Sequence, residues 1–106
     1  LCLVTPTRSA NTYSAFHLYV ILVADSTTRR ALFKYLINKK IGVNVHYKPV
    51  HLQPFYQKYG FREGDFPNAE DYYSRCLSLP IFPSMKGLQQ SKVIDYIKEF
   101  LLAKTR

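Results

Sequence analysis

The chain has 106 residues, a length typical of one domain, with 47% hydrophobic and 21% charged residues. These proportions are ordinary for globular proteins and exclude a chain that is disordered by default. Fifteen lysines and arginines against seven acidic residues give a net charge of +8, which suits nucleic acid, an anionic membrane surface or a phosphorylated small molecule.

The sequence shows neither a membrane-span pattern nor a signal-peptide pattern. No apolar run approaches the roughly 18–20 residues that a span needs, and the short apolar start has no basic segment before it. Since the chain begins with Leu1 and not with Met, we expect a piece cut from a longer protein. Cys2 and Cys76 are far apart and form no CxxC motif, which favours free thiols in a reducing cytoplasm.

The first part of the chain predicts a strand followed by a helix. Residues 14–24 are rich in β-branched and aromatic side chains on both alternating faces, as in a central strand covered on both sides. His17, in the middle of this run, is expected to be a hydrogen-bonded core residue. Asp25 opens a polar run that offers helix N-caps, and Gly42 is the expected stop. The apolar residues between them repeat at helical spacing: Leu32, Phe33, Leu36 and Ile37.

A second strand and a short helix are predicted next. One face of the strand carries Val43, Val45 and Tyr47, and the other carries Asn44, His46 and Lys48. Residues 52–60 predict a short helix that starts after Pro54 and is closed by Gly60. Residues 61–66 predict a polar loop.

The remaining residues predict two longer helices joined by an extended segment. Asn68 is the expected N-cap of the first helix, with Asp71 three residues on as in a capping box. Its buried stripe is expected to contain Ala69, Tyr72, Tyr73, Cys76 and Leu77. Residues 79–83 are expected to be extended, because prolines cannot join a central ladder. The last helix covers about residues 88–103, and its apolar face consists of Val93, Ile94, Ile97, Phe100 and Leu101.

This order of elements predicts a single α+β domain over residues 1–106. The order is strand, helix, strand, short helix, helix, extended segment and helix. It favours two layers, in which a short, mostly antiparallel sheet carries the helices on one face.

Residues 42–51 hold the densest group of chemically capable side chains. Its members are His46, Tyr47, Lys48 and His51. Imidazoles transfer protons near neutral pH and hydrogen-bond hydroxyls and phosphates, so this segment is the candidate ligand-binding site. The alternative for both histidines is a structural role, in which the ring is hydrogen-bonded within the fold.

Other kinds of site have little support in the sequence. His46 and His51 are separated by Pro49 and have no evident third ligand, unlike the helical metal motif HExxH. There is neither a nucleophile elbow nor a glycine-rich phosphate loop. The helix predicted after Asp25 carries a basic cluster, which is expected to lie on a solvated face: Arg29, Arg30, Lys34, Lys39 and Lys40.

Two other functions stay open on charge and aromatic content. A basic, non-enzymatic module could bind RNA or DNA by stacking bases on some of its nine tyrosines, although neither strand carries an RNP-like motif. The chain could also serve only oligomer contacts.

Four segments, in order, resemble one known family. They are SAFHLYVI (14–21), IGVNVHYKPVHL (41–52), GDFPNAE (64–70) and LSLPIFP (77–83). Together they resemble the C-terminal domain of DegT/DnrJ/StrS-type nucleotide-sugar aminotransferases over nearly the whole chain. The resemblance is nearest to the UDP-4-amino-4,6-dideoxy-sugar transaminases of the pseudaminic acid type.

The resemblance implies a pyridoxal-phosphate (PLP) enzyme of fold type I that is cytoplasmic and homodimeric. Such an enzyme moves an amino group from glutamate to a nucleotide-linked keto-sugar, and PLP serves as the electron sink. In this family the Schiff-base lysine and the acid facing the pyridinium nitrogen belong to a large N-terminal domain, which is missing here. We therefore expect no catalytic, cofactor-binding or metal-binding residue in this chain, and no activity from it alone.

The resemblance also assigns residues to the substrate side of the active site. His46 and Tyr47 match the pair that lines the sugar in this family. Asn44 and His51 are expected to support that wall, by hydrogen bonding or by orienting His46. Lys48 is expected either to approach a substrate phosphate or to reach solvent.

Overall fold

A computed structural model describes residues 2–104, which fold into a three-stranded sheet and four α-helices. In chain order these are β1 (Leu3–Val4), β2 (Tyr19–Val23), α1 (Ser26–Asn38), α2 (Pro54–Gln57), α3 (Pro67–Arg75), β3 (Cys76–Leu79) and α4 (Gly87–Lys104). A single 3-10 turn at Val50–Leu52 precedes α2. The α+β expectation is confirmed.

The strand β2 is the centre of the sheet and pairs antiparallel with both neighbours. Its core-facing side chains meet those of β3, with Ile21 opposite Leu77, while Val23 lies opposite Leu3 of β1. Both α1 and α4 pack on this face. The buried core consists of Ile21, Val23, Leu32, Leu36, Leu77, Val93, Ile97 and Leu101.

The predicted cap of α1 is confirmed, but its predicted stop is not. The side chain of Asp25 accepts the N–H of Thr28 at 2.7 Å, which lowers the pKa of that carboxyl. The chain leaves the helix at Lys40, whose φ is 66°, so Gly42 lies beyond the turn. Lys104 donates to the Thr28 hydroxyl at 2.7 Å and ties the end of α4 to the start of α1.

The first predicted strand is shorter than its apolar pattern suggests. It begins at Tyr19, because the Ser14 hydroxyl accepts the N–H of Phe16 at 3.0 Å and Phe16 has a φ of 47°. This local turn takes the chain out of the ladder. His17 is consequently exposed, and the expectation of a core histidine is wrong.

Two residues predicted on the third helix form a strand instead. The helix α3 ends at Arg75, and the buried pair Cys76 and Leu77 starts β3. Arg75 fixes this change of direction by donating to the carbonyl oxygen of Val23 at 2.8 Å and to Asp71 at 2.8 Å. Helical periodicity does not reveal β2, the distant strand that pairs with these residues. Burial raises the pKa of the Cys76 thiol.

The predictions for the other helices are mostly confirmed. Pro54 opens α2, and Gly60, with a φ of 97°, follows it. The helix α4 buries Val93, Ile97 and Leu101 but leaves Ile94 exposed. Within residues 2–104, no helix has the length and apolar character to cross a membrane.

The loop before α3 is held by Glu70, and not by the predicted Asn68 cap. Phe66 is the N-cap residue without a side-chain bond, and Ala69 and Tyr72 are exposed rather than buried. Glu70 accepts the N–H groups of Gly64 at 2.7 Å and Phe66 at 3.1 Å. It also contacts the Nε2 atom of His51 at 3.3 Å.

These contacts lower the pKa of the Glu70 carboxyl, chiefly through the N–H of Gly64 and further through Phe66 and His51. His51 is only 8% exposed, and its ring lies 4.8 Å from that of Phe66. We call this group of four residues the loop clamp. It joins the turn after residue 48 to the start of α3.

We expect Leu36→Ala to lower the free energy of unfolding by about 2–5 kcal/mol, because Leu36 is fully buried between sheet and helices. Leu88→Ala is the matched control, since Leu88 is 86% exposed on α4. Urea unfolding followed by circular dichroism measures both. Equal losses in the two variants would contradict the assigned core.

We expect Glu70→Gln to destabilise the protein at neutral pH and to lose this effect in acid. A carboxyl whose pKa is lowered by folding adds stability above its unfolded pKa and loses it as the pH falls through the folded pKa. The difference in free energy of unfolding between wild type and Glu70→Gln should therefore narrow as the pH falls below about 4.5, the ordinary pKa of a glutamate.

The control for this comparison is Glu63→Gln, which changes an exposed glutamate of the same loop. Urea unfolding of the three proteins across the acid range gives the measurement. If the difference in free energy of unfolding between wild type and Glu70→Gln stayed constant at every pH, the carboxylate charge would not be what holds the loop clamp.

Candidate functional site

The segment that the sequence marks as the candidate site runs along the free edge of β3. Asn44 and Ser78 form an antiparallel bridge: the Asn44 N–H donates to the Ser78 carbonyl at 3.2 Å, and the Ser78 N–H donates to the Asn44 carbonyl at 2.7 Å. The Asn44 side chain then accepts the N–H of Val45 at 2.8 Å. The predicted second strand is thus reduced to this bridge.

His46 is anchored to the sheet by its side chain. Its Nδ1 atom lies 2.8 Å from the hydroxyl of Ser78, which is only 5% exposed. The Nε2 atom has no hydrogen-bond partner in residues 2–104. That atom is open to solvent, because the only buried side-chain polar atom without a partner in this range is the Tyr35 hydroxyl.

Tyr47 stands next to this imidazole and faces outward. The peptide bond between His46 and Tyr47 is cis, and their rings meet edge to face with centroids 4.6 Å apart. Tyr47 is 71% exposed. The pair therefore presents one half-buried imidazole and one phenol on an open surface, and Pro49, which is buried, turns the chain after them.

A basic cleft of about 310 Å³ borders the same segment. It is lined by Arg29, Arg30, Phe33, Lys34, Asn44 and Val45. Arg29 is partly buried and donates to the carbonyl oxygen of Ser74 at 3.3 Å, while Arg30 and Lys34 are exposed. Within the described part of the chain no carboxylate forms an ion pair with these three cations. The solvated-face expectation thus holds for Arg30 and Lys34.

The structure brings only some of the predicted site residues together. Asn44, His46 and Tyr47 share the β3 edge, and Lys48 is exposed just beyond them. His51 belongs to the loop clamp and borders an apolar concavity of about 470 Å³. Within residues 2–104, no hydrogen bond or ring contact joins it to His46, and the two imidazoles have different partners.

Two other features bear on the chemistry of this surface. A cavity of about 360 Å³ between the sheet and α4 is lined mainly by apolar residues, among them Ile21 and Leu101. No three His, Cys, Asp or Glu side chains in residues 2–104 are grouped to hold a metal ion.

Sequence reasoning missed Ser78 as a neighbour of the site. Its signal is a polar residue inside the apolar stretch LSLP, since a buried hydroxyl in a strand needs a hydrogen-bond partner. The structure gives Glu70 a structural role in the loop clamp.

Comparison with known proteins supplies the family. The chain matches the DegT/DnrJ/EryC1/StrS aminotransferase family over residues 2–98. SpsC, a spore coat polysaccharide biosynthesis protein of Bacillus subtilis, is 40% identical over 104 residues, which cover 93% of this chain and 27% of SpsC.

Solved structures share the fold. DesV of S. venezuelae, in complex with a ketimine intermediate, is 32% identical with a TM-score of 0.86, over 94% of this chain and 26% of that chain. The PLP form of Spr1654 from Streptococcus pneumoniae is 26% identical with a TM-score of 0.78, over 93% of this chain and 25% of that chain.

The chain spans 27% of the length of SpsC, so it corresponds to a part of such proteins. The family match nevertheless covers almost all of it, and the resemblance identified from the four sequence segments is confirmed. The chain belongs to the DegT/DnrJ/EryC1/StrS aminotransferase family.

Proposed function

We propose that this chain is the small C-terminal domain of a PLP-dependent aminotransferase that transfers an amino group from glutamate to a nucleotide-linked keto-deoxy sugar. Its product is a precursor of cell-surface polysaccharides or other glycans. The observation that carries the proposal is the placement of His46 and Tyr47, an anchored imidazole and an exposed phenol, on the β3 edge of a member of this family. A UDP-linked sugar of the pseudaminic acid type is the expected substrate.

We propose that the residues of this chain do not form a PLP site by themselves. PLP in an aminotransferase needs a lysine for its Schiff base and an acid opposite its pyridinium nitrogen. In the family that this chain resembles, both groups belong to a large N-terminal domain. We therefore assign the cofactor to a larger, preceding domain of the complete enzyme, and we expect the isolated chain to be inactive. The PLP form of the structurally similar Spr1654 supports PLP as the cofactor.

Each residue at the β3 edge has a role in this proposal. His46 offers Nε2 and Tyr47 its hydroxyl to the sugar, because both groups reach solvent. Asn44 supports this wall through its two backbone hydrogen bonds to Ser78. Lys48 faces a substrate phosphate as a point charge.

His51 acts at a distance from the sugar. It fixes the turn after the β3 edge through the loop clamp, and so it keeps the Tyr47 backbone in place. The basic cleft beside Asn44 adds positive potential next to the substrate, which suits the diphosphate of a nucleotide sugar.

The open surface around Tyr47 favours an active site that other protein parts complete. We propose that the larger domain and a second subunit of a homodimer close over it. On this assignment, the net charge of +8 attracts a phosphorylated small molecule and not nucleic acid. Cys2 and Cys76 are both free thiols, which agrees with a protein of the cytoplasm.

In the complete enzyme, we expect His46→Ala to lower kcat/KM for the keto-sugar by roughly two- to tenfold. The reason is the loss of one hydrogen bond to the substrate. The PLP absorbance band should stay intact, because no group of this chain holds the cofactor. Steady-state kinetics and an absorbance spectrum measure the two effects.

His17→Ala serves as the matched control, since it removes an exposed imidazole away from the β3 edge. It should turn over keto-sugar like the parent. If His46→Ala also does so, the assignment of the sugar wall fails. If the parent itself aminates no nucleotide-linked keto-sugar, the proposed reaction fails.

A further inference from the structure

The hydrogen bond between Ser78 and His46 determines what the imidazole can offer to a ligand. We propose that Ser78 is a positioning residue that fixes neutral His46 with its proton on Nε2. The face toward the ligand is then a hydrogen-bond donor, which selects an acceptor oxygen. That this oxygen belongs to a nucleotide sugar rests on the proposed function; the state of the ring does not.

Ser78 is a buried polar residue of β3. Its side-chain oxygen has one hydrogen-bond partner in residues 2–104, the Nδ1 atom of His46 at 2.8 Å. Ser78 is almost fully buried, so its hydroxyl has little access to water. The hydroxyl hydrogen therefore needs an acceptor inside the protein.

Among the groups of residues 2–104, only one arrangement satisfies that hydrogen. If His46 donated from Nδ1, the Ser78 oxygen would accept, and the hydroxyl hydrogen would point at no acceptor. If the hydroxyl donates, Nδ1 accepts it, and every buried donor of the pair is satisfied. The backbone groups of Ser78 are no alternative, since its N–H and carbonyl are both bonded to Asn44. In a neutral ring whose Nδ1 accepts, Nε2 carries the proton.

The orientation of the ring follows from the same contacts. Ser78 is held in β3 by pairing with Val20 on one side and by the bridge to Asn44 on the other. Its hydroxyl thus projects from a fixed point of the sheet. The edge-to-face contact with Tyr47 limits rotation of the imidazole from the outer side.

The consequence concerns the ligand-facing atom. Nε2 is protonated in this neutral tautomer and also in the charged ring, so it donates in both states. His46 therefore does not take a proton through Nε2. It binds an acceptor, such as a carbonyl, hydroxyl or phosphate oxygen of the ligand.

Nitrogen NMR on protein with isotope-labelled histidine tests the ring state directly. The chain has three histidines, and His46→Gln assigns the signals of His46. At mildly alkaline pH, where imidazoles are ordinarily neutral, we expect a pyrrole-type Nε2 and a pyridine-type Nδ1. A pyrrole-type Nδ1 in the wild-type protein would overturn the proposal without any need for a variant at Ser78.

Variants at Ser78 test the cause. In Ser78→Ala the two nitrogen shifts of His46 should move toward one another, because the second tautomer becomes populated. Ser78→Thr keeps a hydroxyl and should keep the wild-type shifts. Ser91→Ala, which removes an exposed hydroxyl on α4, should change nothing. Shifts that are the same in Ser78→Ala and wild type would overturn the role of Ser78.

Kinetics of the complete enzyme connect the ring state to the ligand. Ser78→Ala should lower kcat/KM for the keto-sugar by roughly two- to tenfold, and Ser78→Thr should keep the wild-type kcat/KM. An active Ser78→Ala enzyme with unchanged kcat/KM would overturn the positioning role. If the parent has no transaminase activity but shows the expected NMR shifts, the proposed function fails and the assignment of the ring stands.

Discussion

The antiparallel pairing of β2 with β3 is the constraint on which the rest of this domain depends. Leu77 points from this pair into the core, while the neighbouring Ser78 points to the opposite face and holds the imidazole of His46. One short strand therefore completes the hydrophobic core and also positions the candidate site. A change that moves β3 by one residue would exchange these two roles, because alternate side chains of a strand face opposite sides.

The end of α3 determines where that strand begins. Arg75 donates to both the Val23 carbonyl and Asp71, and α3 therefore ends against the last residue of β2. At its other end, α3 is joined to the turn after the β3 edge by the loop clamp of Glu70 and His51. The segment that carries His46 and Tyr47 is thereby held between β3 on one side and the loop clamp that follows it. It has little backbone pairing of its own and takes its shape from these neighbours.

The sequence predicts the parts of the fold that depend on local pattern. The helices α1 and α4 follow from apolar residues at helical spacing, and the α+β class follows from their order with the strand around Ile21. The strand β3 was missed because Cys76 and Leu77 also fit a helical stripe, and only pairing with the distant β2 decides between the two. In the candidate site, polar density and family resemblance indicate His46 and Tyr47. The contact of His46 with Ser78 joins residues far apart in the chain, so local spacing does not predict it.

The two histidines of the segment show how a partner decides the use of an imidazole. His51 is buried against a carboxylate and the ring of Phe66, and its Nε2 is committed to Glu70. His46 is bonded through Nδ1 to a neutral hydroxyl, which leaves Nε2 for a group outside the domain. A carboxylate bonded to Nε2 gives the ring a structural role, whereas a hydroxyl bonded to Nδ1 orients the ring and leaves its other nitrogen free. Identical side chains within one short motif thus separate into one that stabilises a loop and one that can meet a ligand.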